Sequence, residues 1–123
     1  MTDDVTVTIS AGRNIGATPM GARAWTQFRA DIAQAIHDAR GEIFVNDARS
    51  IGEWEGVRED SATFVASIPR DYLPHVRDAL AYLARVNRQD AIALTVGATE
   101  LVSAESTPAW IARLREDASA ARA

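Results

Sequence analysis

Hydrophobic periodicity switches between the strand period and the helix period along this chain in one fixed order, and that order restricts the fold more than any other feature. Val5, Val7 and Ile9 alternate with Thr6, Thr8 and Ser10. This is the pattern of a strand with one buried face, built from β-branched residues that suit a pleated surface. The glycines of Ala11-Gly12-Arg13-Asn14-Ile15-Gly16 then permit a sharp turn. Trp25, Phe28, Ile32 and Ile36 recur at spacings of three and four and form the apolar stripe of a helix. Thr18-Pro19 reads as its N-cap and first helical position, and Gly41 as its stop. Glu42 to Val45 reads as a short strand, followed by an irregular stretch from Asn46 to Asp60. Within that stretch Gly52-Glu53-Trp54-Glu55-Gly56 is either an extended segment bent by its glycines or a hairpin tip. Ala62, Phe64, Ala66 and Ile68 alternate with Thr63, Val65 and Ser67 in another strand, which Pro69 closes. Leu73, Val76, Leu80 and Leu83 mark a second helix, broken at Asn87 to Asp90, and Ala91 to Val96 forms the last strand. Thr107-Pro108 repeats the cap signal ahead of the short apolar stripe Trp110, Ile111 and Leu114.

Strand, helix, strand, strand, helix, strand is the βαββαβ order of a ferredoxin-like α+β sandwich. Right-handed crossovers leave few alternatives, so an antiparallel four-stranded sheet with two helices on one face is expected. Residues 1–104 are assigned to this domain and residues 105–123 to an additional amphipathic helix with a fraying tail. Alternation places Val5, Val7, Ile9, Ile43, Val45, Ala62, Phe64, Ala66, Ile68, Ile92, Leu94 and Val96 under the helices. Thr6, Thr8, Ser10, Phe44, Thr63, Val65, Ser67, Ala93 and Thr95 fall on the open face.

Composition excludes several function classes. A chain of 123 residues with 47% apolar and 24% charged side chains can bury a core. Its net charge of −4 argues against nucleic-acid binding through a basic surface. The open face also offers no aromatic on the central strands for base stacking. No cysteine is present, which removes disulfides, thiol chemistry and zinc–thiolate sites. No apolar run is long enough to cross a membrane, and Met1-Thr2-Asp3-Asp4 is unlike a signal peptide, so a cytoplasmic protein is expected.

Two segments carry candidate chemistry. The turn Gly12-Arg13-Asn14-Ile15-Gly16 precedes a helix, so its backbone N–H groups, with Arg13, suit an anion. The acidic cluster Glu53, Trp54, Glu55, Glu59 and Asp60 offers an aromatic for stacking and carboxylates for orienting polar groups. Arg13, Asn14, Trp54 and Glu59 are therefore the candidate ligand contacts. His37 and His75 have no partner that spacing identifies, and Gln89-Asp90 reads as a helix stop and turn. No catalytic residue, metal ligand or cofactor is assigned. Trp110, Ile111 and Leu114 must be covered, either by the same chain or by a second copy in a homodimer.

Taken together, Trp25-x-x-Phe28, Gly52-x-Trp54, Glu59-x-Ser61 and Gln89-Asp90 resemble a family of small bacterial and phage α+β proteins of unassigned function. The resemblance covers about Val5 to Val102, and the helix carrying Trp110 lies beyond it. It implies the βαββαβ fold and transfers no activity. The expected function is a non-catalytic module, phage-encoded, that sequesters a small anionic ligand or blocks a host protein. Two alternatives stand beside it. One is a small ferredoxin-like enzyme, of isomerase or monooxygenase type, with a pocket at the open sheet face and Glu59 paired with Arg13. The other is an interaction protein that assembles through its C-terminal helix.

Overall fold

The computed structural model of the chain describes residues 3–100 and 113–114. The central strand β1 runs Asp4–Gly12, and a two-residue ladder pairs β2, Asn14–Ile15, with β3, Thr18–Pro19. Helix α1 spans Ala22–Asp38, β4 spans Glu42–Trp54 and β5 spans Val57–Pro69. A 3-10 turn at Arg70–Tyr72 leads into α2, Leu73–Val86, and β6 is Ala93–Gly97. The main sheet has the order β4-β5-β1-β6, and every pairing is antiparallel. This is the ferredoxin-like α+β fold, with the two weak strands β2 and β3 inserted ahead of the first helix.

The core forms where the expected alternation meets the expected stripes. Val5, Val7, Ile9 and Ala11 of β1 are buried, as are Ala62, Phe64, Ala66 and Ile68 of β5. Trp25, Phe28, Ile32 and Ile36 of α1 cover them together with Leu73, Val76, Leu80 and Leu83 of α2. Fully burying a side chain such as Phe64 or Ile32 contributes about 1.5–3 kcal/mol. Thr6, Thr8, Ser10, Thr63, Val65 and Ser67 stand half-buried on the uncovered face, as alternation requires.

The structure corrects three local expectations. Thr18-Pro19 does not start the helix. Gly16 takes a positive φ of 62° in a tight turn, the Met20 amide donates to the Arg13 carbonyl at 3.0 Å, and α1 begins only after Gly21. The stretch from Asn46 to Asp60 is not irregular but a long hairpin. Its tip is the two-residue turn Glu55-Gly56, with φ of 52° and 79°, the type I′ geometry that matches strand twist. Register shifts on either side of Val45 disguise β4, because they break the period of two. The same shifts put Val45 opposite Val65 and so on the open face, not under the helices. Arg29, reaching down from α1, pairs with Asp47, which holds a positive φ of 58° between the shifted segments.

Of the C-terminal stripe, Trp110 and Ile111 lie outside the described residues and Leu114 is exposed. Among the described residues no helix is long and apolar enough to cross a membrane.

Gly41, two residues beyond the α1 cap Ala39, is sterically required. A Cβ there would lie 2.5 Å from Ile36 Cγ2 and 2.8 Å from the Ile36 carbonyl oxygen. Since backbone cannot move aside cheaply, Gly41→Ala should lower the unfolding free energy by about 1–3 kcal/mol in urea denaturation. An unchanged midpoint and slope would refute this packing.

Candidate functional site at the open face of the sheet

A pocket of about 580 Å³ opens at one end of the uncovered face. Its floor follows from strand register. Within β5, Glu59 and Ser61 belong to the same face as Thr63 and Val65. Across the ladders Ser61 pairs with Gly12 of β1, and Glu59 pairs with Gly52 of β4. Gly12 on one side of β5 and Gly52 on the other thus leave room that side chains would fill, and the sheet carries a depression there.

Glu59 lies in this depression. A Cβ on Gly12 would fall 2.3 Å from Glu59 Oε1, so the carboxylate occupies the space that a side chain at Gly12 would take. The Asn14 amide donates to Glu59 Oε2 at 2.9 Å, and Asn14 Nδ2 donates to the Arg58 carbonyl at 3.1 Å. Gln89 Nε2 in turn donates to the Asn14 carbonyl at 3.0 Å. Asn14 therefore links the Glu59 carboxylate of β5 to the segment that follows α2. Gln89 arrives there because α2 ends with Arg88 at a positive φ of 56°, and the Gln89 amide caps the Ala84 carbonyl at 2.8 Å. Glu53, Glu55 and Asp90 also line the pocket, against the single cation Arg88.

Two of the four candidate contacts, Asn14 and Glu59, are thus brought together. Arg13 is directed elsewhere: its Nε donates to the Met20 carbonyl at 2.8 Å, and its NH1 lies 3.2 Å from Asp60 Oδ2. It neither lines this pocket nor pairs with Glu59 as the enzyme alternative required. The backbone of Trp54 ends β4 opposite Val57, while its side chain lies outside the described part of the structure. Gln89 and Asp90, read from the sequence as a turn, are both turn and pocket wall. Spacing alone did not reveal this, because their proximity to Asn14 depends on the αL residue that ends α2. Among the described residues no group of three or more His, Cys, Asp or Glu side chains is placed to hold a metal ion.

No protein-family model and no curated protein matches this chain. Solved structures do. A DUF3240 family protein from Shewanella baltica OS155 superposes with a TM-score of 0.54 at 9% identity, covering 84% of this chain and 97% of that one. A phage SAM lyase in complex with S-methyl-5′-thioadenosine gives 0.53 at 14% identity, over 88% of this chain and 95% of the other. The phage SAM lyase in its apo state gives 0.54 at 15% identity, over 85% and 92%. At such identities the likeness shows the fold.

The Gly12 contact is testable. Glu59 is the flexible partner in it, so Gly12→Ala should displace the carboxylate without unfolding the sheet. Hydrogen exchange at the Asn14 amide should accelerate, while global stability falls by about 1 kcal/mol or less. Unchanged protection of that amide would contradict the described geometry.

Proposed function

We propose that the open-face pocket is the working site, that its ligand is a small cationic nucleoside of the S-adenosylmethionine class, and that the protein cleaves this ligand as a lyase. The observation that carries the reading is the placement of Glu59. Its carboxylate is held by the Asn14 amide over a glycine, in a depression that backbone and Gln89 enclose. Three further carboxylates on the walls, against one arginine, favour a cation over the anion anticipated from Arg13. The volume of about 580 Å³ suits a nucleoside-sized molecule. The phage SAM lyase that shares this fold holds S-methyl-5′-thioadenosine, which is the neutral thioether left when such a sulfonium loses its amino-acid chain.

Elementary chemistry gives Glu59 its role. As the C–S bond breaks, its electron pair stays on sulfur and the positive charge disappears. A carboxylate beside the sulfur therefore stabilises the bound sulfonium more than the transition state. Glu59 serves to bind and orient; the substrate's own carboxylate closes on the carbon that sulfur leaves, so the C–O bond forms as the C–S bond breaks, the thioether departs neutral and the amino-acid chain is released as its lactone.

Incubation with S-adenosylmethionine should produce S-methyl-5′-thioadenosine in proportion to protein, followed by liquid chromatography. Glu59→Gln should raise KM at least ten-fold, about 1.4 kcal/mol, and leave kcat unchanged or raise it. Saturable binding by calorimetry without product would reduce the reading to a binding module. If neither binding nor product is observed, the proposal fails.

A further inference from the structure

The open-face pocket holds charge of both signs in unequal amounts. Glu53, Glu55, Glu59 and Asp90 line it, and Arg88 is the one cation on its wall. The acids suit a ligand's positive centre. They also set a condition on any negative group that the same ligand carries. A carboxylate placed among them is repelled by each, and more strongly as the ligand displaces water. Arg88 is the position on this wall where such a group gains attraction.

The backbone holds Arg88 in place. At the end of α2 the Asn87 amide donates to the Leu83 carbonyl at 3.1 Å, the Arg88 amide to Arg85 at 3.3 Å and the Gln89 amide to Ala84 at 2.8 Å. Asn87 Nδ2 adds a second bond to the Leu83 carbonyl, at 2.8 Å. Gln89 Nε2 then ties the next residue to Asn14, whose own amide holds Glu59. The segment that bears the cation is thus fixed relative to the carboxylate that receives the positive centre. The Arg88 side chain is exposed. Arg85, three residues earlier, lies 5.8 Å over the Tyr82 ring. Arg88 has neither an ion pair nor an aromatic ring against it among the described residues. Its planar guanidinium can therefore meet a carboxylate through parallel N–H bonds.

We infer that Arg88 is the specificity-determining residue of this site: it takes the carboxylate of the substrate's amino-acid chain, so the pocket selects a sulfonium that carries an α-amino acid over one that lacks the carboxylate. This role rests on the proposed sulfonium ligand. Arg88 acts in recognition and not in the bond-breaking step. The carboxylate gives up its charge as its oxygen bonds to carbon and the C–S electron pair passes to sulfur, so its pairing with Arg88 is strongest before reaction.

Calorimetry with two ligands that cannot complete this reaction tests the inference. Sinefungin carries an amine in place of the sulfonium and keeps the carboxylate, whereas decarboxylated S-adenosylmethionine keeps the sulfonium and lacks the carboxylate. Arg88→Gln should weaken sinefungin binding by about five-fold. The decarboxylated ligand should bind as tightly as before or more tightly, because a positive charge has left the wall. Arg88→Lys should restore most of the sinefungin affinity. In turnover of S-adenosylmethionine, Arg88→Gln should raise KM without lowering kcat. An Arg88→Gln variant that binds sinefungin like the parent protein, or that loses both ligands alike, would overturn the inference; the proposed function survives that result if Glu59→Gln still weakens both ligands. Binding of neither ligand by the parent protein, or no response of either to Glu59→Gln, removes the proposed function and the role of Arg88 with it.

Discussion

The two-residue alternation of β5 is the constraint on which the remaining geometry rests. Ala62, Phe64, Ala66 and Ile68 lock this strand under the helices. Sliding the register by one residue would exchange that whole apolar set for Thr63, Val65 and Ser67. Burial of Phe64 and Ile68 alone opposes such a slip by several times the thermal energy, at about 1.5–3 kcal/mol each. The same locked period continues past the core to Asp60 and Glu59, where nothing apolar holds it. The core thereby dictates which face each acidic side chain occupies, although neither contributes to the core.

Its neighbour β4 does not keep step. Register shifts flank Val45, and Asp47 takes a left-handed conformation within the second of them. Asp47 meets Arg29 from α1 there, so the irregularity lies where the helix reaches down to the sheet. A partly buried ion pair of this kind is weak evidence of net stabilisation, since desolvation offsets much of its attraction. Its evident structural effect is positional, because it ties the first helix to the point where β4 changes phase. Beyond that point β4 regains its pairing, and Gly52 comes to rest beside Glu59.

The legible parts of the fold were those governed by a single period. β1, β5, α1 and α2 each bury the residues that spacing singles out, from Val5 to Leu83. The illegible parts were those where a local rule was used for a different purpose. Thr18-Pro19 has the chemistry of a helix start, yet the turn at Gly16 draws it into a small ladder. Two bulges hide a thirteen-residue strand that a strict period of two does not find. At the site, Asn14 and Glu59 stood out as candidates, but their contact spans 45 positions and is created by the register of β1 against β5. The depression itself has no sequence signature. Gly12 and Gly52 become meaningful only when strand order places both beside β5.

Consecutive residues of one strand consequently face opposite electrostatic surroundings. Glu59 looks onto a pocket rich in carboxylates, whereas Asp60 looks onto one rich in arginines. Net charge averages over this difference, and an argument from −4 alone favours neither ligand class. Local fields decide instead, because exposed charges farther apart than a Debye length, about 8 Å at physiological salt, are largely screened from each other. The pleated sheet separates the two pockets with the peptide layer and with the core side chains that lie beneath it. Alternation thus does more than sort apolar from polar side chains. Where it runs on beyond the core into a charged segment, it sorts carboxylates from guanidiniums, and a sheet of modest size can present surroundings of opposite sign on its two faces.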